Sequence, residues 1–76
     1  MNFNVIDEEM LAQEERVEAL MQRRLGNRIR GLRVQLQPEG VILHGRTATY
    51  HAKQLAQHAA MELLDRPILA NEIEVF

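Results

Sequence analysis

The side chains best suited to chemistry in this 76-residue chain are three histidines, His44, His51 and His58, and a run of arginines, Arg23, Arg24, Arg28, Arg30 and Arg33. His51 and His58 share one face of a helical segment but are separated by about 10.5 Å along its axis. Imidazole bonds near ~2 Å cannot then reach one ion from both. His44 belongs to a strand and faces the side of the sheet away from that helix. The neighbouring acids Glu8 and Glu9, and Glu14 and Glu15, point in different directions from one helix, so neither pair forms a general acid and base. The chain has no cysteine, which removes thiolate nucleophiles, thiolate metal ligands and disulfides. No Ser-His-Asp ordering and no glycine-rich phosphate loop is present. These residues predict a protein that is not an enzyme, with no catalytic residue, metal site, cofactor or small-molecule substrate.

The arginines carry the stronger signal. Net charge is only −2 but is unevenly laid along the chain. Asp7, Glu8, Glu9, Glu14, Glu15 and Glu18 face only Arg16 in the first 22 residues, whereas the five arginines, Arg46 and Lys53 face only Glu39 between residues 23 and 53. The belt from Arg23 to Arg33 surrounds the end of a first helix, where cations suit the negative end of the helix dipole. One reading is a solvated surface with ion pairs to Glu14, Glu15 and Glu18. The other is an anion-binding edge, with Arg46 and Lys53 as peripheral contributors, since an anionic lipid surface gains about 1 kcal/mol per nearby basic residue. Nucleic acid is the alternative anion, but no aromatics are interleaved with the belt for base stacking and the whole chain is net negative.

The elements that must position these groups are legible from periodicity. Val17, Leu20, Met21 and Leu25 form an apolar helical stripe, Asp7 is the expected N-cap, and Gly26-Asn27 ends the helix. This predicts a helix over residues 8–25, with residues 1–7 disordered. "LRVQLQ" alternates Leu32, Val34 and Leu36 with polar residues, the period of a half-buried strand. Pro38-Glu39-Gly40 turns the chain, Gly40 accepting positive φ, and "VILHGRT" runs back as a second strand. Here Val41, Leu43 and Gly45 face the core, with Ile42, His44 and Arg46 opposite. Thr49 caps a second helix whose Ala52, Leu55, Ala56, Ala59 and Leu63 form one face. Pro67 ends it, and a third strand follows with Leu69, Asn71, Ile73 and Val75 on the core side. Glu72, Glu74 and Phe76 take the other side.

The order is α-β-β-α-β, and a strand-helix-strand connection is nearly always a right-handed crossover between parallel strands. The prediction is an α+β fold, a two-layer sandwich in which two helices cover one face of a three-stranded mixed sheet. Its strands lie in chain order, and residues 1–76 form a single domain.

Residues 32–75 resemble the BON domain, a small bacterial module of osmotically induced and nodulation proteins. The resemblance rests on Gly40-Val41-Ile42-Leu43-His44-Gly45, Thr49, the alanine-rich helix "AKQLAQHAAMELL", and Leu69-Ala70-Asn71-Glu72-Ile73-Glu74-Val75. One departure is Asp65-Arg66-Pro67 where the family has Gly-Val. The resemblance implies structural roles for Gly40, Val41, Leu43, Gly45, Thr49 and Asn71, with Gly45 letting the alanine helix approach the second strand. It also implies a non-catalytic module that binds phospholipid surfaces, other proteins or itself. The expected partner is accordingly an anionic membrane surface or another protein, met by a monomer or weak homodimer, with homo-oligomerisation as the alternative. Without an apolar leader or membrane-length run, the chain is expected in the cytoplasm, although the family is often periplasmic.

Overall fold

The computed structural model describes residues 5–76, with side chains from residue 8 onward. Helix α1 spans Val5–Leu25, a 3-10 turn Gly26–Arg28, strand β1 Ile29–Gln37, strand β2 Gly40–Thr47, helix α2 Tyr50–Leu63 and strand β3 Ile68–Val75. The sheet order is β1-β2-β3, antiparallel between the first two strands and parallel between the last two. Both helices pack on one face, α1 along β1 and α2 over β3 and β2. This is the expected two-layer α+β sandwich.

Val17, Met21 and Leu25 bury one stripe of α1, with Met10 packed against the same core. Leu20, expected on that stripe, is 39% exposed. It lies about 100° around the helix from Met21, on the side where Arg24, one turn later, pairs with Glu62 of α2. The helix starts at Val5 rather than residue 8, so Asp7 stands inside the first turn instead of capping it. Residues 1–4 of the segment expected to be disordered lie outside the described residues.

Helix α2 buries Ala52, Ala56, Ala59 and Ala60, and Leu64 just beyond its end. Alanines on this face let two layers built almost without aromatic residues come close enough to exclude water. The Thr49 hydroxyl accepts from the Ala52 amide at 3.0 Å while its backbone stays extended, as an N-cap requires. Thr49→Ala is expected to cost about 1 kcal/mol, and Thr49→Ser to retain most of that; urea unfolding curves of the two variants provide the check.

Strand β1 begins three residues earlier than expected because it contains a bulge. Arg30 lies opposite Arg46 and Arg33 opposite His44, so Gly31 and Leu32 together oppose Gly45. Gly31 supplies the left-handed φ of 61° that such a bulge uses. Gly45, at φ 152°, answers it: an added Cβ would lie 2.8 Å from Ile29 Cγ2 and 3.2 Å from the Arg30 carbonyl oxygen. The space at Gly45 therefore serves β1, not the approach of the alanine helix.

Gly40 also differs from expectation. Its φ is not left-handed, and the hairpin Gln37 to Gly40 closes through Pro38 and Glu39 with negative φ throughout. Gly40 is required for space, since a Cβ would overlap the Pro67 carbonyl oxygen and sit 2.8 Å from Leu69 Cγ. In β3 the register slips between Val41 and Ile42, placing Ile68 opposite Val41 and Ala70 opposite Ile42. That slip turns Leu69, expected in the core, outward to 47% exposure, and Ile68 packs inward instead. Val75, also expected on the core side, lies 44% exposed at the end of the strand. Asn71 ties the layers together: its Nδ2 donates to the Lys53 carbonyl at 3.0 Å and to Gln57 Oε1 at 3.3 Å, and its Oδ1 accepts from the Ile73 amide.

The outer edge of β1 is closed from α1. Glu18 Oε2 accepts from the Val34 amide and Glu14 Oε2 from the Leu36 amide, each at 2.8 Å. Spaced one turn apart, the two carboxylates match alternate amides of an edge strand, which otherwise offers a template for another chain.

Candidate functional site

The sheet register decides which residues meet. Ile29 opposes Thr47, and Thr47 opposes Val75, so one end of the molecule collects the start of β1 and the ends of β2 and β3. The end of α1, the Gly26–Arg28 turn and the start of α2 lie at the same end by connection. This tip holds Arg23, Arg28, Arg30, His51 and the exposed rings of Tyr50 and Phe76. The hairpin turn with Glu39 and the acid-rich beginning of α1 lie toward the other end. A chain with net negative charge thus carries a basic pole.

The five predicted arginines have different surroundings. Arg24 pairs with Glu62, and Arg33 Nε lies 3.7 Å from Glu18 Oε2 on the side of the molecule. The first pair is largely exposed and worth little as a stabiliser, and in the second only Arg33 is exposed while Glu18 is mostly buried, but both pairs neutralise these two positions. Arg28 Nη1 donates to the Leu25 carbonyl at 3.1 Å, satisfying the last turn of α1. Among the described residues, no Asp or Glu side chain lies within ion-pair distance of Arg23, Arg28 or Arg30. Of the peripheral pair, Arg46 is 4.0 Å from Glu74 Oε1 and stacks over the Phe76 ring at 4.9 Å. Lys53 lies half-buried on α2, its carbonyl held by Asn71.

A cavity of about 360 Å³ opens at the tip. Its lining includes Arg28, Arg30 and His51 among the polar residues and Ala48, Ala52 and Phe76 among the apolar ones, and no Asp or Glu side chain borders it. These six residues come from the 3-10 turn, the start of β1, the link from β2 into α2, the first turn of α2 and the residue after β3. Periodicity alone could not unite them. The usable signal was the pairing of the start of β1 with the end of β2, which the hairpin at Pro38 already implies.

The histidines are scattered, as their spacing predicts. His44 sits on the outer sheet face, 2.9 Å from Gln35 Oε1 and 3.6 Å from Glu72 Oε1, and His58 is exposed on α2. The outer face thus pairs its own polar groups, His44 beside Glu72 and Arg46 with Glu74. Among the described residues no three histidine or acid side chains gather as a metal site, and no helix is long and apolar enough to cross a membrane. In comparisons of the chain with protein-family models, with curated proteins and with solved structures, nothing matches.

Proposed function

We propose that this protein is a non-enzymatic adaptor module that attaches to anionic phospholipid surfaces by its basic tip. The observation that carries the reading is the concentration of Arg23, Arg28 and Arg30 beside the exposed rings of Tyr50 and Phe76, with no Asp or Glu side chain pairing those arginines among the described residues. Cations beside exposed aromatic rings suit the boundary between headgroups and acyl chains. At about 1 kcal/mol per basic group near the surface, the three arginines supply weak, salt-sensitive adhesion. Arg24 and Arg33 add less because each already faces a carboxylate. The resemblance of residues 32–75 to BON domains points the same way.

Sedimentation with phosphatidylglycerol vesicles provides the test. The protein is expected in the pellet at low salt and much less so at physiological salt, and to ignore phosphatidylcholine vesicles. Arg28→Glu with Arg30→Glu reverses two charges, a loss of roughly 4 kcal/mol on the same scale, and should return the protein to the supernatant. A chain that stays soluble at both salt concentrations, or a double variant that pellets like the parent, removes the proposal.

A further inference from the structure

From the cavity at the tip we infer a binding site for a phosphate monoester, bound and not transformed. The inference rests on reading the tip as anion-binding, and it adds a defined ligand chemistry with a defined place. Three residues with cationic or ionisable side chains border one space of about 360 Å³ from three elements: Arg28 from the 3-10 turn, Arg30 from β1 and His51 from α2. That volume lies within the range of small-ligand clefts.

Each arginine is prepared in a different way. Arg28 is anchored by its Nη1 bond to the Leu25 carbonyl, so the remaining guanidinium donors lose little freedom on meeting a ligand. Arg30 stands directly across the ladder from Arg46, a like-charge opposition that destabilises a strand pair and that an anion at Arg30 relieves. Arg46 has Glu74 as a counter-charge, whereas Arg30 has no Asp or Glu side chain within ion-pair distance among the described residues, Glu72 and Glu74 bordering a neighbouring cavity with it.

Two guanidinium forks and an imidazole suit a tetrahedral dianion, which accepts paired hydrogen bonds on several edges at once. A carboxylate offers only one such edge and one charge. The same lining includes the apolar residues Ala48, Ala52 and Phe76, against which the carbon portion of an ester can lie. Inorganic phosphate satisfies only the polar half of that lining, and a phosphorylated polyol or the headgroup of phosphatidic acid satisfies both.

Nitrogen-edited NMR of the whole chain, titrated with inorganic phosphate and with glycerol 3-phosphate against sodium chloride of equal ionic strength, tests the site. Saturable shifts are expected at the Arg28 and Arg30 side chains and at the amides of residues 47–52, with glycerol 3-phosphate the tighter ligand. Arg28→Gln and Arg30→Gln should each weaken binding about tenfold or more, and Arg66→Gln, at the hairpin end, should leave it unchanged; retained spectral dispersion verifies that each variant folds. Shifts that chloride reproduces, or that spread evenly to Arg16 and Arg66, overturn the site. Phosphatidic acid vesicles separate the sources. Saturation by soluble phosphates without vesicle binding upholds the site and ends the membrane reading. Vesicle binding that weakens in both glutamine variants, without saturable binding of the soluble phosphates, overturns the site and leaves that reading standing.

Discussion

Gly40→Ala is expected to cost about 3 kcal/mol or more and to leave a large fraction of the chain unfolded under mild denaturant. A chain of this length has roughly 4 to 11 kcal/mol of stability in total. The added methyl would overlap the Pro67 carbonyl oxygen, a backbone atom that no rotamer change can move aside, and would press on Leu69 Cγ at 2.8 Å. That same carbonyl accepts from the Val41 amide at 2.9 Å, the first link between β2 and the approach to β3. Relief of the overlap therefore pulls apart a hydrogen bond worth about 1 kcal/mol and adds the usual 1–3 kcal/mol of overpacking. Urea titration followed by circular dichroism measures the loss. A change under about 1 kcal/mol, on the lower limit of that overpacking scale, would mean that β3 can shift sideways without penalty.

The second large effect is at the opposite edge of the sheet. Replacing Glu14 and Glu18 together by alanine is expected to destabilise the fold by about 2–4 kcal/mol, since hydrogen bonds to charged groups are worth about 1.5–3 kcal/mol each and water recovers part of the loss at a half-exposed site. It also uncovers the amides of Val34 and Leu36. Edge-to-edge pairing then becomes available, so sedimentation velocity should show concentration-dependent association greater than that of the parent. The glutamine pair, which keeps an acceptor oxygen at both positions but no charge, should lose less stability and associate less. If the alanine variant sediments as the parent does at every concentration, the carboxylates do not guard the edge.

Element types and sheet order were legible because each rests on a strong local rule: alternation in Leu32–Gln37, the Thr49 cap before an alanine stripe, and the handedness of strand-helix-strand crossovers. The discrepancies have a common origin in contacts that join distant parts of the chain. Leu69 reads as a core residue from alternation alone, and only the register slip against β2 shows that Ile68 takes its place. Glu14 and Glu18 read as solvated acids because nothing local reveals that an edge strand will run beneath them. The arginine belt was legible as charge, but its division was not. Arg24 is neutralised by a residue 38 positions away, while Arg28 and Arg30 border one cavity with a histidine from another element. Gly31 does carry a local signal, since an isolated glycine inside a strand often marks a bulge.

That glycine sets the reading frame of the basic pole. A regular extended backbone through residues 29–32 would swap the two faces before Leu32, turning Arg30 inward among aliphatic side chains and Ile29 out to water. The extra residue absorbed at Gly31 is what lets one strand keep Leu32 inside and still point Arg30 outward. A bulky β-branched side chain there, unable to hold the left-handed turn, would move the pole's charge without altering a single arginine. Placement of charge and packing at this corner are therefore inherited together, through a position that bears no side chain.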